Sequence, residues 1–110
     1  MTILKQENYM KNGYKILWTD NAINELARTI EYLESNWTEK ELRNLAANLE
    51  KTLNLISQNP FIFQASDSKK EIRRAVILSF NTLYYKVNKN SVEIVSFFSN
   101  RQNPKKRKLK

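Results

Sequence analysis

The chain contains neither cysteine nor histidine among its 110 residues. Without cysteine it has no disulfide framework and no thiolate to offer a metal ion. Without histidine it lacks the commonest zinc ligand and the usual general base near neutral pH. Both absences argue against Ser-His or Cys-His catalysis and against a metalloenzyme, so we expect no metal and no cofactor.

Glycine, proline and long apolar runs are also scarce. One glycine and two prolines are too few for a glycine-rich phosphate loop or a flexible linker. No apolar run approaches the roughly 20 residues that span a bilayer. The polar start from Met1 to Gly13 lacks the apolar segment of a signal peptide. We therefore expect a single cytoplasmic domain without membrane contact, preceded by an N-terminal extension over residues 1–13 that has no role in the fold.

Positive charge is concentrated at the C-terminus. The net charge is +8, and the last ten residues hold six of the 19 basic side chains and no acidic one, which leaves 13 basic residues against 11 acidic ones elsewhere. Such a cluster binds phosphate groups, with an affinity that falls steeply as salt rises. It is equally typical of a solvated chain end. We interpret residues 105–110 as a basic tail. The six basic residues are Arg101, Lys105, Lys106, Arg107, Lys108 and Lys110.

A short strand followed by two helices is predicted for the first half of the chain. The segment from Tyr14 to Trp18 is aromatic and β-branched, and Thr19-Asp20-Asn21 are helix-capping residues. Two stretches of apolar residues at helical spacing follow. A capping box at Thr38 to Glu41 separates them, Pro60 ends the second, and Glu25 falls on the polar side of the first. The apolar positions are Ile23, Leu26, Ala27, Ile30, Leu33 and Trp37, then Leu42, Leu45, Ala46, Leu49, Leu53 and Ile56.

Three short strands are predicted for the second half. They are Ile72 to Leu78, Leu83 to Val87 and Val92 to Phe98, separated by turns whose asparagines tolerate left-handed conformations. Short connections of this kind make neighbouring strands antiparallel. The predicted fold class is α+β with the order β-α-α-β-β-β, in which a helical hairpin packs on an antiparallel sheet.

This order of elements, with the residues that mark it, resembles the RelE/ParE superfamily of toxins from type II toxin-antitoxin modules. The resemblance covers Tyr14 to about Lys105, and we place the toxin domain at residues 14–104. The final Phe97-Phe98-Ser99-Asn100-Arg101-Gln102-Asn103-Pro104 is most similar to the ParE-like branch. The resemblance implies growth inhibition by one of two routes. ParE-like members poison DNA gyrase without cutting nucleic acid, and RelE-like members cut mRNA in the ribosome without a metal. It also implies a cognate antitoxin whose disordered tail folds on binding.

The resemblance extends to individual residues only in part. Arg101 matches the arginine that contacts the scissile phosphate in the RNase members, and Lys70, Arg73 and Arg74 match the basic cluster that opens their second strand. However, Thr82 stands where those members carry an arginine, and no tyrosine follows Arg101. The ParE-like interpretation is therefore favoured. If the chain is an RNase, the expected catalytic residues are Arg101, Arg73, Arg74 and Tyr85. Target or antitoxin binding is expected of Lys70, Arg73, Arg74, Arg101, Lys105, Lys106 and Arg107.

Three interpretations stay open: a gyrase-directed toxin, an mRNA endoribonuclease, and a small basic module that binds nucleic acid. Adjacent residues of a strand point to opposite faces, so one of Arg73 and Arg74 is expected to be surface charge. For the same reason one of Tyr84 and Tyr85 is expected to be core packing. Partly exposed apolar contacts for an antitoxin are expected at Phe61, Phe63, Tyr32 and Trp37.

Overall fold

Helices and strands follow one another in the predicted order β-α-α-β-β-β, and the α+β fold class is confirmed. The computed structural model describes residues 13–36, 39–66, 71–78 and 81–99. The capping residue Thr38 and the apolar Trp37 therefore lie outside the described residues. The elements are β1 (Lys15–Trp18), α1 (Asp20–Asn36), α2 (Glu39–Gln58), β2 (Ile72–Ile77), β3 (Asn81–Val87) and β4 (Ser91–Ser99).

The sheet is mixed and has the strand order β1-β4-β3-β2. The strands β2, β3 and β4 pair antiparallel, as predicted. In contrast, β1 runs parallel to β4, with Lys15 opposite Ser91 and Trp18 opposite Ile94. The prediction of a wholly antiparallel sheet is therefore wrong at this edge. Parallel pairing needs a long crossover connection, and here it consists of the two helices, the loop after them and the strands β2 and β3.

Both helices cover one face of the sheet, and none of the described elements covers the other, which we call the open face. The helix α1 packs mainly against β4, and α2 contacts β1 and β2. Burial of apolar side chains between these layers is the main source of stability for such a domain. The buried apolar residues of the helices are Ala22, Leu26, Leu33, Leu45, Leu49 and Ile56. Those of the sheet are Ile16, Ala75, Ile77, Leu83, Tyr85, Val92, Ile94 and Phe97.

The buried stripe of each helix is narrower than the sequence predicts. Ala27 and Ala46 are exposed, although both were expected on the apolar sides. In α1 the buried residues include Ala22 and Thr29, which share one helical face with Leu26 because they lie four and three residues from it. The hydroxyl of Thr29 is accommodated in this stripe because it donates to the Glu25 carbonyl at 3.0 Å.

Thr19 begins α1 and joins it to the sheet. Its Oγ1 atom accepts a hydrogen bond from the Ala22 N–H at 3.1 Å, which is the geometry of an N-cap. The same hydroxyl donates to the Ile94 carbonyl at 3.0 Å, and the Thr19 N–H donates to that carbonyl at 3.1 Å. The predicted capping role is confirmed, and the first turn of α1 is fixed against the middle of β4.

A β-bulge interrupts the alternation of side chains along β4. Tyr85 lies opposite Ile94 and Tyr84 lies opposite Ser96, so Val95 has no partner on β3. Ile94 points into the core before the bulge, and Phe97 does so after it. One inserted residue changes the face that every later side chain takes. The bulge therefore places Phe98 on the open face.

The hairpin between β2 and β3 departs from the predicted turn. Leu78, and not an asparagine, has a positive φ of 64°. Asn81, which was expected in the turn, instead begins β3 and is buried. A leucine in this backbone region is uncommon because its Cβ crowds the backbone. Leu78 adopts it while its side chain packs against the core.

Candidate functional site on the open face of the sheet

The open face of the sheet carries three rows of side chains across the three antiparallel strands, and the row farthest from the β2–β3 hairpin consists of Ile72, Lys86 and Glu93. In the first row Val76 lies opposite Thr82, and Thr82 lies opposite Phe98. Val76 is 62% exposed and Phe98 is 37% exposed. We call Val76, Thr82 and Phe98 the apolar row. Since the described helices lie on the other face, Val76 and Phe98 keep part of their apolar surface exposed.

The second row brings a cation and an aromatic ring together. Arg74 lies opposite Tyr84, and Tyr84 lies opposite Ser96. Arg74 is exposed and Tyr84 is half-buried. Directly opposed residues on one face of an antiparallel pair are close enough for their side chains to interact. The open face thus combines apolar, aromatic and cationic groups, a composition typical of protein interfaces.

Arg73 takes the opposite face and is engaged within the fold. Its Nη1 atom donates to the Phe63 carbonyl at 2.7 Å, and its guanidinium lies 5.0 Å from the centre of the Phe61 ring. This geometry combines a charge-assisted hydrogen bond with a cation–π contact. The prediction that the two arginines diverge is confirmed, with Arg74 as the surface charge. Arg73 holds the loop after α2 to the sheet.

The loop that Arg73 binds is also paired to β2 through its backbone. Ala65 forms an antiparallel bridge with Arg73, the Arg74 N–H donates to the Gln64 carbonyl at 3.2 Å, and the Ser66 N–H donates to the Ile72 carbonyl at 2.6 Å. These bonds cover the first half of the sheet edge at β2. The loop therefore has a fixed position relative to the open face.

Tyr85 is a core residue. Its side chain is fully buried, and its hydroxyl donates to the Pro60 carbonyl at 2.7 Å. Burial, opposed in part by the charge of Arg73 and a hydrogen bond with the Phe63 backbone, raises the pKa of Tyr85 from 10.0 to about 12. The phenol is thus protonated at neutral pH and its proton is held by a backbone acceptor. Tyr84 is the tyrosine of the pair that lies on the open face.

Apolar side chains are exposed in the loop between α2 and β2. Phe61 is 57% exposed and Ile62 is 48% exposed. The expected exposure is confirmed for Phe61, and it is partial for Phe63 and Tyr32, which also pack against the core. Ile62, Val76 and Phe98 were missed. The alternation within β2 was the available signal for Val76, but Phe98 requires knowledge of the bulge.

Polar atoms are buried where the chain leaves the sheet. Asn81, the first residue of β3, lies opposite Ser99, the last residue of β4. Within the described ranges, Asn81 Oδ1 and Ser99 Oγ are buried without a hydrogen-bond partner. Beyond Ser99 the sequence continues into the basic segment. The predicted site residues outside the described residues are Lys70, Arg101, Lys105, Lys106 and Arg107.

Within the described residues, no group of acidic side chains is arranged to hold a metal ion. No helix there has both the length and the apolar character needed to cross a membrane.

A family model for the ParE toxin of type II toxin-antitoxin systems matches residues 16–104. This match covers all six described elements except Lys15, the first residue of β1. Among curated proteins no sequence match is found.

Solved structures with a similar fold come from toxin-antitoxin systems and from a protein without an assigned role. The chromosomal ParDE system of P. aeruginosa gives a TM-score of 0.63 at 10% identity, covering 76% of this chain and 92% of that one. The E. coli DinJ-YafQ toxin-antitoxin complex gives 0.55 at 11% identity, covering 83% and 97%. A conserved hypothetical protein of Helicobacter pylori gives 0.54 at 18% identity, covering 80% and 96%. At such identities the likeness concerns the fold.

The burial of Tyr85 predicts a pH-dependent contribution to stability. Replacing Tyr85 by Phe removes its hydrogen bond to the Pro60 carbonyl. We expect this to lower the free energy of unfolding at pH 8 by about 1–3 kcal/mol. Because the folded-state pKa is raised to about 12 from 10.0, the unfolded chain loses this proton first as pH rises. The difference in unfolding free energy between the wild type and Tyr85→Phe should therefore decrease between pH 10 and pH 12. Urea unfolding of both proteins at pH 8 and pH 11 measures it.

The matched control for this experiment is Tyr84→Phe, because Tyr84 is half-buried on the open face. We expect Tyr84→Phe to lower the free energy of unfolding at pH 8 by less than Tyr85→Phe does. A difference for Tyr85→Phe that is equally large at pH 8 and pH 11 would contradict the described burial.

The two adjacent arginines should differ in their effect on stability. Arg73→Ala removes the hydrogen bond to the Phe63 carbonyl and the contact with the Phe61 ring, so we expect a loss of about 1–3 kcal/mol. Arg74→Ala removes an exposed side chain and should stay within about 0.5 kcal/mol of the wild type. Urea unfolding at pH 7 compares them, and equal losses would refute the assignment of the two faces.

Proposed function

Because the chain belongs to the ParE toxin family of type II toxin-antitoxin systems, we propose that it inhibits DNA gyrase by binding and is neutralised by a cognate antitoxin in the cytoplasm. The observation that carries this proposal is the burial of Tyr85, whose hydroxyl is bound to the Pro60 carbonyl. A general acid or base must reach the proton it transfers, and this phenol has no access to a substrate. Burial therefore supports binding over bond cleavage.

The open face supplies the surface for such binding. Val76 and Phe98 expose apolar area beside the guanidinium of Arg74 and the ring of Tyr84. Arginine and aromatic residues dominate the binding energy of many protein interfaces. The lack of an arginine at Thr82, between Val76 and Phe98, further supports this interpretation, since the cleaving members are expected to carry a cation there.

The antitoxin is proposed to be a segment that folds on this chain. An acidic tail would be attracted by the net charge of +8 and would cover the exposed apolar side chains at the same time. Arg74 belongs to this proposed contact surface together with Lys70, Arg101, Lys105, Lys106 and Arg107. Arg73 contributes to it indirectly, because it is bound to the loop.

A second candidate function is metal-independent cleavage of mRNA in the ribosome. The observation that favours it is the direct pairing of Arg74 with Tyr84 on the open face. In that case Arg74, with Arg101, would bind the scissile phosphate and stabilise its developing charge, and Tyr84 would take the place of Tyr85 in proton transfer.

Induction of the chain in bacteria that lack its antitoxin separates the candidates. We expect incorporation of labelled thymidine to fall within minutes and incorporation of labelled amino acid to fall later. Arg74→Ala should delay the arrest, because the open face loses the cation that lies opposite Tyr84, whereas Lys51→Ala on the exposed side of α2 should not. Both variants should be present at wild-type levels.

The opposite order of events would contradict the gyrase proposal. If protein synthesis stops first and ribosome-bound mRNA is cut, the endoribonuclease function holds. If neither process stops, and duplex DNA binding disappears on removal of residues 105–110, the chain is a nucleic-acid-binding module.

A further inference from the structure

Glu25 is the main polar link between α1 and the second half of β4. Its Oε1 atom accepts hydrogen bonds from Ser96 Oγ at 2.9 Å, from the Phe97 N–H at 2.9 Å and from Asn21 Nδ2 at 3.2 Å. The sequence pattern predicts Glu25 on the solvent side of α1, but the residue is half-buried. Since the same oxygen receives all three donors, the bonds need an acceptor at one position and do not need both oxygens of a carboxylate.

Glu25 lies beside the part of β4 that extends past the end of its pairing with β1. The pairing of β1 with β4 ends at Trp18 and Ile94. From this point on, residues at the start of α1 bind the backbone groups on this edge of β4. Thr19 donates to the Ile94 carbonyl, and Asn21 Nδ2 donates to the Val95 carbonyl at 3.1 Å. Glu25 then accepts from the Phe97 N–H. Side chains from the start of the helix thus replace a strand along the bulge.

The sequence of β4 does not by itself select the bulged register. Residues 96–99 read Ser-Phe-Phe-Ser. With the bulge, Phe97 points inward, and Ser99 shares its face because the two residues are two apart. Without the bulge, regular alternation from Ile94 would turn Ser96 and Phe98 inward. Each register buries one phenylalanine and one serine, so apolar burial is nearly the same in both.

We propose that Glu25 is a positioning residue that selects this register. It accepts the Phe97 N–H at the bulge and the hydroxyl of Ser96, and a shifted strand would not present these two donors together. The choice decides which phenylalanine joins Arg74 and Tyr84 on the open face and from which side the chain leaves the sheet after Ser99. Its functional consequence depends on the proposed role of the open face in target binding.

Substitutions of Glu25 separate the acceptor geometry from the charge. Glu25→Gln keeps an oxygen at the same position, and Glu25→Ala removes it. Cross-strand nuclear Overhauser effects in the full chain report the register, since Leu83 lies opposite Phe97 in the bulged form and Thr82 would lie opposite Phe97 in the regular form. Wild type and Glu25→Gln should show the Leu83–Phe97 pairing alone. Glu25→Ala should also show Thr82–Phe97, and exchange of its Phe97 amide should be at least about tenfold faster.

A second substitution, added to Glu25→Ala, tests whether this variant still folds and has only changed its register. Adding Phe98→Thr leaves Phe97 as the only phenylalanine of the pair, which favours the bulged register by apolar burial. The double variant should recover the Leu83–Phe97 pairing. The matched control, Phe97→Thr combined with Glu25→Ala, should instead place Phe98 opposite Asn81, as the regular register requires.

The proposal is overturned if Glu25→Ala keeps the Leu83–Phe97 pairing with unchanged exchange at Phe97. It is also overturned if Glu25→Gln behaves like Glu25→Ala, because the charge would then matter and not the acceptor. Growth arrest on induction should follow the register, being kept in Glu25→Gln and weakened in Glu25→Ala. If the wild type does not stop DNA synthesis, the gyrase proposal fails, and the result on register is unaffected.

Discussion

The attachment of α1 to β4 is the constraint on which the rest of the structure depends. β4 is an inner strand, paired with β1 on one side and β3 on the other, but β1 is too short to cover it beyond Ile94. The first turns of α1 satisfy the remaining edge through Thr19, Asn21 and Glu25. These bonds fix the helix on the sheet and hold the bulge at Val95. An unpaired backbone group at a partly buried edge is costly, so the helix and the bulge support each other.

The bulge determines both which side chain of β4 enters the core and which one lies on the open face, where we propose that the target binds. Because it turns Phe97 inward and Phe98 outward, it completes the hydrophobic core and the apolar row at once. The neighbouring pairs divide in the same way. Arg73 and Tyr85 are engaged with the loop after α2, while Arg74 and Tyr84 are presented on the open face. Each residue pair thus contributes one member to stability and one to the open face.

Local signals in the sequence predict the helices and strands, but they do not predict how the strand edges are paired. Thr19 and Pro60 mark helix ends because capping oxygens and a missing N–H act within a few residues. The parallel pairing of β1 with β4 joins residues far apart in the chain and has no such signal. Glu25 looks like an ordinary solvent-facing acid because its partners, Ser96 and Phe97, are also distant in sequence. The Ser-Phe-Phe-Ser run conceals the bulge, since both registers satisfy the hydrophobic pattern equally. Of the candidate site, the division between Arg73 and Arg74 followed from strand geometry, whereas Val76 and Phe98 required the sheet itself.

A reconstituted assay tests most directly whether the chain is a binding inhibitor, as proposed, or a nuclease. Purified chain is titrated into purified DNA gyrase while supercoiling of relaxed plasmid is followed, and in parallel into ribosomes programmed with a defined mRNA. We expect supercoiling to be inhibited at concentrations that leave the mRNA intact. Cleavage of the mRNA with full gyrase activity would contradict the proposal of a gyrase inhibitor. It would indicate that the open face binds RNA.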